Sequence, residues 1–135
     1  MQNTKDKPKF TPENISLLSE NEIFVFGSNL SGHHDGGAAR IAESKFGAIY
    51  GQGVGLQGQS YAIPTMQGGV ETIVPYVNTF IDFAKNNPLY YFYVTRIGCG
   101  IAGFTDHEIA PLFREALELE NICLPKSFVE VLERL

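Results

Sequence analysis

Three things are scarce in this chain of 135 residues, and each scarcity removes a class of function. There is no long apolar run, so no segment reads as a membrane span, and the N-terminus has no secretory apolar core; the expected setting is cytoplasmic. Positive charge is short as well. Ten Lys and Arg against 15 Asp and Glu leave a formal net charge of -5, and the basic residues are scattered. That excludes the electrostatic footprint of a duplex-binding or membrane-surface protein, so any bound nucleotide is expected as a small ligand or as a modification on a macromolecule. Cysteine is the third scarcity: Cys99 and Cys123 lie in different segments and suit a reduced compartment. His33, His34 and Asp35 form the one cluster of metal-ligand types, but adjacent side chains on a loop do not converge on one ion and no spaced His or Cys completes the set. Neither a metal nor a cofactor is expected.

What the chain does have is enough apolar residues, 44%, to bury one core, and 14 glycines gathered at strand and helix ends. Residues 1–10, polar and lysine-rich, read as a loose tail, and 11–135 as a single domain. Thr11-Pro12 has the form of an N-cap with proline at the first helical position, which predicts a helical turn to about Leu18. Continuous apolar runs at Ile23–Phe26 and Tyr90–Val94 predict strands buried on both faces, and Gln59–Thr65 a strand closed by Pro64. Ala38, Ile41, Ala42 and Phe46 fall at helical spacing before Gly47, a C′ glycine. A second apolar stripe, Ile73 to Ala84, predicts a helix capped by Thr72 with Pro75 in its first turn. Thr105-Asp106-His107-Glu108 is a capping box opening a helix to about Leu119 that Pro111 should bend. Asn121–Leu124 reads as a short strand, and Ser127 with Glu130 as a second capping box for a final helix. Strands alternating with helices and lacking a wet face imply a three-layer α/β/α fold around a mostly parallel or mixed sheet.

Two glycine-rich loops leave strands at the same sheet edge, where ligands of such sheets bind. The first runs from Gly27-Ser28-Asn29 to Gly36-Gly37-Ala38, and the second is Thr95-Arg96-Ile97-Gly98-Cys99-Gly100-Ile101-Ala102-Gly103-Phe104. Glycines at Gly98, Gly100 and Gly103, just before a helix start, leave backbone N–H groups bare beside the positive end of a helix dipole, so an anion, most simply phosphate, is the expected guest. Gly53-Val54-Gly55-Leu56-Gln57-Gly58 matches the dinucleotide fingerprint in form, which would make the chain a Rossmann-type oxidoreductase. That fingerprint needs a strand before it and a helix after it, and here a helix and turn precede while a strand follows.

These residues resemble the macrodomain family, from about Ile23 to Leu124, and most closely its branch of terminal ADP-ribose protein glycohydrolases and DNA ADP-ribosylation antitoxins. Ile97 to Phe104 is similar to the family's diphosphate-binding loop, and Ser28-Asn29 with Asp35-Gly36-Gly37-Ala38-Ala39 to its first loop. Arg96 to Gly100 and Lys45-Phe46-Gly47 match segments that recur in the branch. The resemblance implies ADP-ribose or a related diphosphate nucleotide held by Ser28, Asn29, Gly36, Gly37, Ala38 and Gly98 to Phe104, with an ADP-ribosylated macromolecule as the alternative partner. The alternative to simple binding is hydrolysis of ADP-ribosyl groups or of ADP-ribose phosphate, with Asn29, Asp35 and His34 around a water and with Lys45, or the neighbouring Glu43 or Ser44, at the position of the branch's attacking lysine. Ala102 stands where the branch carries an acid and cannot move a proton, which favours binding over that hydrolysis. No residue from Ile15 to Glu22 matches the family's adenine-contacting aspartate.

Several of these side chains have an ordinary reading beside the functional one. Asn29 either closes its loop or faces ribose, Phe104 is either core or a platform for a sugar, and Arg96 either meets a phosphate or pairs with a carboxylate, the last favoured. Cys99 reads as a small packing residue before it reads as a nucleophile.

Overall fold

The computed structural model describes residues 8–135, and the first seven residues of the tail expected over 1–10 fall outside that range. Five strands form one mixed sheet in the order β2-β3-β1-β4-β5: β1 (Glu22–Ser28), β2 (Gly55–Gln57), β3 (Ser60–Pro64), β4 (Tyr91–Val94) and β5 (Ile122–Cys123). The pairs β1–β3, β1–β4 and β4–β5 are parallel, and only the β2–β3 hairpin is antiparallel. Four α-helices flank the sheet: α1 (Gly37–Lys45), α2 (Val74–Lys85), α3 (Asp106–Ile109) and α4 (Lys126–Glu133). The architecture is α/β/α.

The central strand shows why both faces are covered. Side chains alternate along it, so Ile23 and Val25 enter one buried cluster with α2, α3 and α4, while Phe24 and Phe26 enter the other with Ala39, Ala42 and Phe46 of the α1 side. In the larger cluster the Phe80 ring meets Phe92 edge-on at 5.4 Å and also contacts Tyr61 and Phe113. Such ring pairs add to plain burial.

Four local readings change in the fold, two of them through long-range contacts. Thr11 caps no helix: its N–H donates to the Leu124 carbonyl at 2.9 Å and its hydroxyl to the Cys123 carbonyl at 3.0 Å, tying the segment after Phe10 to the end of β5. Thr72 does not cap α2, since its hydroxyl donates to the Gly69 carbonyl within a 3-10 turn over Val70–Thr72, and Pro75 sits in the first turn of a helix that starts at Val74. The helix opened by Thr105 is α-helical only to Ile109 and continues as a 3-10 helix over Ala110–Glu118. Pro111 brings no N–H to the ladder there, which removes one i to i−4 bond at the switch. Ser127 caps nothing, because its hydroxyl donates to Asp106, and α4 starts behind Pro125 instead. The Thr105–Glu108 capping box is present in both directions, at 3.2 and 2.9 Å.

Candidate functional site

Because β1, β3 and β4 run parallel, their carboxyl ends open on one edge, and the chain leaving each of them lines a single cleft of about 260 Å³. Ser28 and Asn29 come from β1, Thr65 and Met66 from β3, and Thr95 to Gly98 from β4. The cleft's two long walls are the first loop with the start of α1, Asp35 to Ala39, and the second loop, Gly100 to Ala102. Gly27 forms part of the floor, and a Cβ there would stand 3.3 Å from the Gly98 nitrogen, so the loops approach backbone to backbone. A Cβ on Gly36 would stand 3.1 Å from the tip of Ile101, where the two walls meet.

The walls present donors and few acceptors. Within the second loop the Cys99 N–H donates to Arg96, the Gly103 N–H to Gly100 and the Phe104 N–H to Gly98. Among the described residues, that leaves the amides of Gly98, Gly100, Ile101 and Ala102, all in the lining, without an acceptor in the protein. Across the cleft, α1 begins behind Gly36, an N-cap with no side chain and no side-chain cap bond, and its first turn holds no acid. The N–H groups of Gly37, Ala38 and Ala39 are therefore the uncapped positive end of a nine-residue helix. The dipole expected from the helix after the second loop contributes nothing comparable. The start of that helix is already occupied by its own capping box and by two acids, Asp106 and Glu108, in its first turn.

The side chains around the cleft are mostly held by their neighbours. Asn29 closes the first loop: its Oδ1 accepts the His33 N–H and the Ser31 hydroxyl, both at 2.9 Å, and its Nδ2 donates to the His33 carbonyl at 3.0 Å. The Ser28 hydroxyl donates to the Gly53 carbonyl. Arg96 forms a two-pronged pair with Asp106, Nε to Oδ1 and Nη2 to Oδ2, each 3.0 Å. Asp106 also accepts the Ser127 hydroxyl at 3.0 Å and the Cys99 thiol at 3.7 Å, so one carboxylate fastens the second loop to α3 and α4. Hydrogen bonding from Arg96 holds the Asp106 carboxyl below its ordinary range, while burial, with Asp106 beside it, pushes the Cys99 thiol up to about 11. A thiol so placed holds less thiolate than an ordinary cysteine and is a correspondingly weaker nucleophile.

The expected site residues divide accordingly. Ser28, Asn29, Asp35, Gly36, Gly37, Ala38, Gly98, Gly100, Ile101 and Ala102 line the cleft together, with His33 beside them, stacked on Tyr50 at 5.1 Å. Cys99, Gly103 and Phe104 do not; Phe104 packs on the larger core cluster. His34 is buried behind the first loop, its Nε2 bonded to the Ile49 carbonyl at 3.0 Å. Lys45 occupies the last turn of α1, about 12 Å along the helix axis from its start, and is exposed away from the cleft. Sequence reasoning missed Thr65 and Met66; the parallel pairing of β3 with β1 brings them in, and Pro64 ending a strand is their only local signal, while Gly27 and Ile97 of the two expected loops form part of the lining. The Gly53–Gly58 motif covers β2 and enters the turn to β3, so a strand and not a helix follows it. Its first glycine braces the site, since a Cβ on Gly53 would fall 2.1 Å from the Asn29 carbonyl oxygen.

A second hollow, of about 530 Å³, shares Thr95 and Arg96 with the cleft and is walled by Thr11 to Glu13 and by Pro125 to Ser127 with Glu130. Among the described residues, no three His, Cys, Asp or Glu side chains are grouped to hold a metal, and no helix is long and apolar enough to cross a membrane. Comparison with protein-family models, with curated proteins and with solved structures yields no match. The resemblance to macrodomains rests on the two loop motifs.

Proposed function

We propose that the cleft binds the diphosphate of an ADP-ribose-like nucleotide and that the protein is a macrodomain-like binding module. The observation that carries this is the presence of two donor sets in one cleft: four second-loop residues with acceptor-free amides line it together with the uncapped start of α1. Backbone amides with a helix dipole hold phosphate oxygens without a lysine or a free arginine. A diphosphate, with oxygens on both sides of its bridge, suits two donor sets better than a single phosphate does. The neighbouring hollow past Thr95 and Arg96 supplies volume for the nucleoside, bringing the whole into the size range of nucleotide sites.

A second reading, hydrolysis of an ADP-ribosyl or phosphate ester bond, has one observation in its favour. Asp35 is the single carboxylate lining the cleft and is exposed without an ion-pair partner among the described residues. It sits beside His33, and either could take a proton from water. Against it stand Ala102, which has no acid to offer, and the closure of Asn29 upon its own loop.

Titration calorimetry with ADP-ribose, AMP and ribose 5-phosphate tests the first reading. ADP-ribose should bind tightest, and Gly100→Glu should weaken it at least tenfold without lowering the melting temperature, since a Cβ at Gly100 meets nothing within 4 Å. No heat with ADP-ribose at millimolar concentration refutes it. Release of ADP-ribose from modified protein or DNA, or of phosphate from ADP-ribose phosphate, abolished by Asp35→Ala with binding retained, would establish the second.

A further inference from the structure

A third hollow opens on the other side of Asp35, which it shares with the cleft. Its volume is about 330 Å³, and its lining is His34, Asp35, Arg40, Glu43 and Ser44. Three features of this hollow specify a guest. The first is His34, which is 2% exposed. Its Nε2 lies 3.0 Å from the Ile49 carbonyl, which can only accept, so Nε2 carries a hydrogen and, in the neutral imidazole, Nδ1 presents a lone pair. That Nδ1 is buried with no hydrogen-bond partner, an acceptor waiting for an N–H or O–H. The Phe26 ring meets the imidazole edge-on at 5.2 Å and helps hold it in place. The second feature is charge: Asp35 and Glu43 against Arg40 leave the lining net negative, and none of the three belongs to an ion pair among the described residues. The third is position, because the hollow and the cleft meet at Asp35.

We infer that this hollow receives the acceptor side chain to which an ADP-ribosyl group is attached, and that it is built for a guanidinium, so that the protein recognises ADP-ribosylated arginine. The inference rests on the reading of the cleft as an ADP-ribose site. A guanidinium matches the hollow on each count. It is planar, donor-only and positively charged, it offers an N–H to the buried Nδ1 of His34, and it reaches Glu43 and Asp35 with its remaining donors. A modified serine or glutamate brings no charge and too few donors to serve all three. The glycosidic nitrogen would then lie near Asp35, where the cleft ends and the hollow begins.

The test is binding of three ligands to the full chain: free ADP-ribose, an ADP-ribosyl-arginine peptide, and an ADP-ribosyl-serine peptide of the same sequence. The arginine-linked ligand should bind about tenfold tighter than free ADP-ribose, and Glu43→Gln should remove that advantage while leaving free ADP-ribose unaffected. In a 15N-histidine spectrum the Nδ1 resonance of His34 should move with the arginine-linked ligand and stay in place with ADP-ribose, a response that a purely structural histidine would not give. Equal affinity for the arginine-linked and free ligands overturns the acceptor site and leaves the cleft reading standing. The same gain with the serine-linked peptide overturns the guanidinium assignment. Absence of binding by all three overturns the cleft reading and this inference together.

Discussion

The second loop contains two glycines that differ sharply in what they require, and alanine at each gives a paired test of the loop geometry. Gly98 is buried with φ +77°, and a Cβ there would stand 3.0 Å from Cδ1 and 3.2 Å from Cγ1 of Ile109, itself fully buried in the larger cluster. Gly100, two residues on, is exposed, lies outside the positive-φ region and has nothing within 4 Å of its Cβ position. An L-residue in the left-handed region costs about 1–2 kcal/mol. Pushing a packed isoleucine tip aside by a few tenths of an ångström adds roughly 1 kcal/mol, the low end of overpacking penalties. Gly98→Ala should thus lose about 2–3 kcal/mol, which for a domain of this size is about 8–12 °C in melting temperature. Gly100→Ala should stay within about 0.5 kcal/mol of the parent, as surface substitutions away from special geometry do. Differential scanning calorimetry and urea unfolding of both variants measure the contrast, with an unchanged urea slope as the sign that the denatured state is not involved. Equal losses at the two positions, or a neutral Gly98→Ala, would refute the loop geometry and with it the arrangement of bare amides that the proposed function needs.

Three further outcomes follow from the packing and ionisation of the chain. Because Arg96 holds the Asp106 carboxyl below its ordinary value of 3.8, its stabilisation is complete above that value and is lost as pH falls through the depressed one. Asp106→Asn should therefore be less stable than the parent at pH 7, with a gap that narrows on acidification below about pH 4 and shrinks in high salt; acid titration of the melting temperature reads both. The Cys99 thiol, raised from 9.0 to about 11, should carry about 100-fold less thiolate than an ordinary cysteine at pH 8, and a chromogenic disulfide should label it correspondingly slowly until the protein is unfolded. Phe80→Ala removes a fully buried ring in contact with Tyr61, Phe92 and Phe113, so urea unfolding should show a loss of about 3–5 kcal/mol.

What could be read from the sequence was whatever a short window decides. The continuous apolar runs became β1 and β4, the Thr105–Glu108 capping box formed in both directions, and Gly47, at φ +79°, sits in the left-handed turn after α1 as a C′ glycine does. What could not be read was decided by partners distant in the chain. Thr11 carries a helix-start signal, but the backbone beside β5 lies within reach and takes both its N–H and its hydroxyl. Ser127 and Glu130 have capping-box spacing, but Asp106, 21 residues away, claims the hydroxyl. β2 is three residues long and hidden in a glycine pattern, and the reason for Gly53 is the Asn29 carbonyl, visible only once the hairpin has folded against the first loop.

The candidate site follows the same division, with one instructive exception. Both loops and most of their lining residues were visible as glycine patterns after buried strands, whereas Thr65 and Met66 depended on which strand pairs with β1. The second loop leads into a capped helix and the first into an uncapped one, a contrast that the sequence already holds. A helix whose start carries a capping box and acids, as Thr105 to Glu108 does, has already met its own need for negative charge. A helix that starts behind a bare glycine with no acid in its first turn, as α1 does behind Gly36, has not. An anion is therefore to be sought where the cap is missing, because there its oxygens meet amides that neither a side chain nor the rest of the fold has satisfied.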